Sequence, residues 1–246
     1  MIEVIDDPWL AHSCELVERL MLAGLRDRVT RYAMMREAIS RGRKGALHYH
    51  GDHLVGFVHG LVRSLFLLGV RPELLKFGEV PYESCFFGTK RWDYLLQDAS
   101  GRPVVRIEMA CASGKGVGFS DCLAWEMPGI LGMLYDHRSS GQGCFAGLVV
   151  VQRLRPRPTR PKMPVLTARW TAKRHARLGT FFRRLRASGL VDRTLFIEEC
   201  EGKLTLPLPD ATTATFLSGV RDVINRHPEL MRPMDTRANT RFAPTG

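Results

Sequence analysis

Thr89-Lys90-Arg91-Trp92-Asp93-Tyr94-Leu95-Leu96, the break Asp98-Ala99-Ser100-Gly101, and Pro103-Val104-Val105-Arg106-Ile107-Glu108-Met109 together decide the fold. Residues 91–96 and 103–109 are rich in aromatic and β-branched side chains, which suit a pleated, half-buried strand. The segment between them has turn chemistry, so the two runs predict an antiparallel hairpin. Residues 82–87 form a third run of the same kind immediately before it.

Outward from the hairpin the period is helical. Residues 53–68 predict a helix capped by Asp52, apolar on almost every side and therefore deeply buried. Before it, residues 10–39 place Val17, Leu20, Met21 and Leu25 at helical spacing and predict one or two amphipathic helices, closed by the basic loop Arg41-Gly42-Arg43-Lys44-Gly45. After the hairpin come a Gly-rich stretch, residues 113–118, and a helix over 121–138 that Pro128 and Gly129 are placed to kink. Residues 145–151, FAGLVVV, are continuously apolar, as a central strand covered on both faces requires. Residues 153–162 alternate Arg with Pro and predict an extended, exposed run. A basic helix over 170–187, a strand over 194–199, a helix over 212–226 and a loose tail from 228 to 246 complete the chain. The order predicts an α/β fold, a mixed central sheet with helices on both faces, in a single domain of residues 1–246 whose first 50 are a helical region.

Charge narrows the class of partner. The 246 residues carry 36 Lys plus Arg against 25 Asp plus Glu, a net charge of +11, with a pI near 9.8. Such a surplus suits a polyanion, nucleic acid before an anionic membrane surface, although a solubilising surface alone would also produce it. Six scattered cysteines with no C-x-x-C pair exclude a zinc ribbon and a small disulfide scaffold. The N-terminal MIEVIDDPWL lacks the basic start of a signal peptide, and the most apolar segment, residues 54–70, is interrupted by His59 and Arg63. A cytoplasmic protein with no membrane partner is the expectation.

The residues that carry chemistry are Asp93 and Glu108. A tight turn joins their strands, so the two carboxylates are expected at one end and on one face of the sheet. Two close carboxylates repel unless a cation or proton lies between them. Mg²⁺ fits, since it takes one or two carboxylates and completes its shell with water and phosphate oxygens. The plainer alternative makes both acids solvated strand residues or ion-pair partners of Arg91 and Arg106. His48, His50, His53 and His59 match no zinc spacing, and a helix N-terminus touching phosphate explains them as well.

The hairpin around Asp93 and Glu108 resembles the active-site hairpin of XhoI-like type II restriction endonucleases, members of the PD-(D/E)-x-K nuclease superfamily. The likeness continues in order through the loop at 114–120, the helix carrying Glu126, the apolar strand at 147–151, the basic helix at 175–186 and the last helix, over roughly residues 50 to 226. It implies a nuclease core over residues 51–227 and a homodimer that cuts a short palindrome in double-stranded DNA, CTCGAG in the family, using Mg²⁺, with a cognate DNA methyltransferase in the same system. Asp93 and Glu108 match the family's metal-binding acids. The family's Lys, two positions after the Glu, falls at Ala110. Lys115, among glycines, and Lys90 are the candidates to replace it. An inactive or weakened DNA-binding protein on the same scaffold is the alternative that Ala110 keeps open. For contacts to DNA phosphates the sequence offers Lys173, Arg174, Arg177, Arg183 and Arg184 on the basic helix, and Arg155 and Arg157 in the Arg-Pro run.

Overall fold

A computed structural model of the chain describes residues 6–26, 52–84, 88–113, 119–139, 144–154, 168–200 and 203–232. Among them the elements run α1 (Pro8–Arg26), α2 (Asp52–Leu68), β1 (Leu75–Ser84), β2 (Gly88–Gln97), β3 (Pro103–Ser113), α3 (Phe119–Ser139), β4 (Phe145–Leu154), α4 (Ala168–Ala187), β5 (Arg193–Cys200), β6 (Lys203–Thr205) and α5 (Thr213–Asn225). The fold is mixed α/β, as the alternation of periods implies.

The hairpin forms where its residues ask for it. Asp98 Oδ1 accepts from the N–H groups of Ser100 and Arg102, and Gly101 takes φ +81°, which closes the turn. Six strands lie in the order β1-β2-β3-β4-β5-β6. β1, β2 and β3 are antiparallel in succession, β3, β4 and β5 run parallel, and β6 returns antiparallel to β5. Successive crossovers in one direction put their helices on one face. Accordingly α3 and α4 cover a core built on Ala110, Leu148, Val150 and Phe196. The opposite face, with Tyr94, Ile107, Val149 and Ile197, is covered by α1, α2 and α5. β4 lies between them, buried without a break from Cys144 to Gln152.

Helix ends follow local chemistry. Asp7 precedes Pro8 and its Oδ1 accepts from the Leu10 N–H at 2.9 Å, the arrangement of an N-cap with proline at the first helical position. Thr212 and Thr215 make a reciprocal capping box at α5.

Several expectations are corrected. β1 begins at Leu75, seven residues before the run that announced it, with Leu75 and Phe77 buried in the core that α1, α2 and α5 share with the sheet. α3 is unbroken through Pro128. α2 is not buried all round: Phe57, Val58, Leu61 and Leu65 face inward, whereas Phe66 and Leu67 are 49% and 55% exposed. The sheet and α1 occupy two of its sides and the third meets solvent, where the Arg232 guanidinium lies 3.9 Å from the Phe66 ring. β6 had no signal of its own, and the chain past His227 is not loose at once. Leu230 is fully buried, and Met231 bridges to Val70. The later tail, the loop at 114–118, most of the Arg-Pro run with Arg155 and Arg157, and residues 27–51 with His48 and His50 lie outside the described residues.

α1 and α2 approach closely because Gly56 and Gly60, four apart, share a helix face. A Cβ on Gly56 would come within 2.2 Å of the Leu20 carbonyl oxygen, and one on Gly60 within 2.6 Å of Val17 Cα. Backbone cannot move aside as a side-chain tip can. Gly56→Ala should therefore destabilise the protein by about 2–3 kcal/mol, despite a helix-propensity gain of up to about 1 kcal/mol. Urea unfolding measures it, and a variant as stable as the parent would refute the close contact.

Candidate active site

Asp93 and Glu108 stand where two strands part. β2 pairs with β3 through Tyr94↔Ile107, Leu95↔Arg106 and Leu96↔Val105. Asp93 and Glu108 are the next residue on each strand, just past the last pair of that ladder. Beyond that point β2 continues along β1 as far as Gly88, while β3 continues along β4 as far as Ser113. A fork leaves ladder groups to be satisfied, and Asp93 supplies one partner: its Oδ2 accepts from the Met109 N–H at 2.8 Å. The pleat also changes here. Trp92 packs into the core under α3 and α4, while Tyr94, two residues on, belongs to the opposite core. On β1 the register slips between Phe77 and Val80, a bulge directly across from Asp93. Bulges bend a strand and re-aim its side chains, and they recur beside active sites.

Glu108 lies on the α3/α4 side, between Arg106 and Ala110 on the same strand face. Its Oε2 is buried. Near it, the buried Tyr82 hydroxyl is held far above the usual phenol range, first by burial, then by the charges of Asp136 and Glu108, with Ser84 and Arg106 acting the other way. Ser84 Oγ donates to Asp136 Oδ2, tying the end of β1 to α3.

A second buried group flanks this one. The Arg106 guanidinium lies 5.5 Å from the Trp92 ring centroid, and its Nη1 is 2.9 Å from His137 Nδ1. His137 Nε2 is 3.0 Å from the Cys144 carbonyl oxygen. Arginine only donates and a carbonyl only accepts, so the ring is neutral with its proton on Nε2. Burial pushes its pKa down to about 4, the Cys144 carbonyl opposing and Arg106 adding to the effect. Burial likewise raises the Cys144 thiol to about 11.

The unfolded histidine takes a proton near pH 6.5 and the folded one only near 4, so this contribution is full above 6.5 and is lost as pH falls toward 4. Between pH 7 and pH 5 it removes about 2 kcal/mol. In His137→Gln the amide oxygen can accept from Arg106 and the amide nitrogen can donate to Cys144, so the slope should flatten. Denaturant titrations at both pH values decide the point; a parent protein equally stable at pH 5 and 7 would contradict it.

The positions expected to supply the missing cation come out differently. Ala110 is 2% exposed in an apolar cluster with Leu148 and Val150, where an ammonium would lose hydration. Lys90 is half-buried opposite Tyr82, three residues before Asp93 and so on the order of 10 Å away along β2. Lys115 lies outside the described residues.

On α4, Leu178, Phe182 and Leu185 face the sheet, and Lys173, Arg177, Arg183 and Arg184 are exposed. Arg174 departs from its expected role toward DNA. Its Nη2 donates to Glu198 on β5, its Nη1 is 3.4 Å from Gln152 Oε1 on β4, and its side chain is 11% exposed. His175 Nε2 lies 3.1 Å from the other Glu198 oxygen. The helix has no acid of its own, and the one that pairs with Arg174 comes from the sheet beneath it.

Sequence reading missed the strand fork, Tyr82, Asp136, His137 and the Arg174–Glu198 pair. Only His137 had a usable signal: Ile130, Met133, Leu134 and His137 form one helical stripe, and the first three are core.

Among the described residues no group of three or more His, Cys, Asp or Glu side chains is arranged to hold a metal ion, and no helix is long and apolar enough to cross a membrane. Compared with protein-family models, curated proteins and solved structures, the chain matches none.

Proposed function

We propose that the protein is a Mg²⁺-dependent endonuclease of double-stranded DNA, a type II restriction enzyme with the PD-(D/E)-x-K arrangement. The observation that carries this reading is the pair Asp93 and Glu108, each next to the last β2–β3 ladder pair at the parting of the strands, with Asp93 fixed by the Met109 N–H. The donor set fits Mg²⁺: two carboxylates from adjacent strands, one with an oxygen shut off from solvent, the remaining sites left to water and phosphate oxygens. Asp93 and Glu108 would hold the ion. When bound, it supplies Lewis acidity to the scissile phosphate and acidifies an attacking water.

The chain's own residues do the rest. The Met109 N–H orients the Asp93 carboxylate. Trp92, Ala110 and Leu148 keep bulk water from the floor beside Glu108. The exposed Lys173, Arg177, Arg183 and Arg184 lie on the helix covering the same sheet face, so they suit phosphates flanking the cut. By the family resemblance the enzyme acts as a homodimer on a palindrome such as CTCGAG, alongside a cognate methyltransferase.

Purified protein with Mg²⁺ and phage DNA should give discrete fragments that EDTA suppresses. Uncut DNA at high protein concentration, or a smear, would defeat the reading. One observation favours a second: the apolar burial of Ala110, which leaves no cation at the position of the family's lysine. On that reading the protein binds DNA without cutting it, with a gel shift that weakens steeply as salt rises and no metal-dependent nicking.

A further inference from the structure

We propose that the groove between α4 and the segment before α5 is a binding site for a mononucleotide-sized phosphate ester. The groove has a volume of about 340 Å³ and is open to solvent on one side, which suits a small ligand at the lower end of the usual range of about 300–1,000 Å³. Its walls differ in character. Pro207 offers an apolar surface over the buried Phe182 and Leu208, while Arg183 and Arg186 bring nitrogen donors. A phosphate ester with a flat, apolar body matches both.

The cationic groups are held rather than loose. Arg183 Nη2 is 3.2 Å from Thr180 Oγ1. Arg186 Nη1 donates to Thr194 Oγ1 at 2.7 Å. His175 Nε2 is turned to Glu198, so the two arginines are the donors of the groove. Asp210, the acid on the lining, is 58% exposed and 3.8 Å from Arg186, so solvent screens much of its charge.

Gly179 supports the assignment independently. Glycine inside a helix is unfavourable relative to alanine, yet a Cβ here would meet nothing nearer than Arg183 Nη1 at 3.6 Å and Leu208 Cδ2 at 3.8 Å. Packing does not require this glycine. A long side chain at the position would occupy the groove, and its absence keeps the space open.

The groove also stands in line with the strand fork. Glu108 pairs with Leu148 and Leu148 with Thr194, so the Arg186 anchor is two strand spacings from Glu108, about 10 Å. Binding does not depend on cleavage, so the proposal stands even if the protein cuts nothing.

Calorimetric titration of the full chain with deoxyadenosine 5′-monophosphate, deoxyadenosine and inorganic phosphate tests it, with a short 5′-phosphorylated single strand as a further arm. The monophosphate should bind saturably and at least about tenfold more tightly than phosphate or nucleoside alone. Gly179→Leu, which fills the groove, and Arg183→Gln, which removes a donor from an exposed position, should each weaken it at least about tenfold. Gly179→Ala should melt no lower than the parent, and Arg183→Gln keeps the test decisive if the leucine variant misfolds. Binding of the oligonucleotide alone, lost in either variant, would support the site and assign it to a nucleotide within a strand. No binding in any arm, binding untouched by both substitutions, or phosphate binding as well as the monophosphate would overturn it.

Discussion

Asp93→Asn should lower Mg²⁺-dependent cleavage by at least about 10³-fold while leaving the protein as stable as its parent. The amide keeps an oxygen that can accept from the Met109 N–H, now 2.8 Å from Asp93 Oδ2, and removes only the charge. Asp93→Ala removes both. It should lose as much activity and also destabilise the fold by about 1–3 kcal/mol, because the Met109 N–H would lack its acceptor. Comparing the two variants separates metal binding from strand architecture. If both acids serve one ion, Glu108→Gln should abolish cleavage alone and the double variant should be no worse than either single one. Stability provides a readout independent of chemistry. Above its dissociation constant, each tenfold rise in free Mg²⁺ should add about 1.4 kcal/mol to the parent and nothing to Asp93→Asn. An Asp93→Asn enzyme cutting at the parental rate, or a parent indifferent to Mg²⁺, would end the metal assignment.

The hairpin was legible because its signals are local. Aromatic and β-branched runs around Asp98-Ala99-Ser100-Gly101 specify strand, turn and strand within twenty residues, and β4 announces itself by unbroken apolarity. The fork was not legible. It arises because β2 keeps its neighbour β1 as partner while β3 takes β4, and the second choice depends on residues 40 positions away, as in Val105↔Phe145. The early start of β1 has a similar cause: Leu75 and Phe77 lie in the core that α1, α2 and α5 share with the sheet. Gly56 and Gly60 look like weak points in a helix until Val17 and Leu20 are placed against them. The pair Asp93 and Glu108 could be picked out by type and spacing, since hairpin register nearly fixes their relation. The role of Ala110 could not, because burial decides whether a cation can occupy that place, and burial there is set by β4 and α3.

The basic helix shows most sharply where charge counting stops, and it yields the largest stability effect. Arg174→Ala should destabilise the protein by about 3–5 kcal/mol, since it strands the Glu198 carboxylate, 6% exposed, beneath α4. His175, already in contact with the same carboxylate and 23% exposed, offers a single ring nitrogen in place of the guanidinium fork and cannot make up the loss. Arg174→Met with Glu198→Gln removes both charges at similar volume and should recover most of the loss. The exposed cations of the same helix should behave oppositely. Arg177→Ala and Arg184→Ala should leave the unfolding midpoint unchanged, weaken DNA binding uniformly across sequences, and each reduce the slope of log affinity against log salt by about 1. Should Arg174→Ala remain fully stable yet lose DNA affinity with that same change in slope, Arg174 would be a phosphate contact after all, and its bond to Glu198 a minor tether. A helix can thus be uniformly basic in sequence and still divide its arginines between two tasks, because the acid that selects Arg174 comes from β5, beneath it.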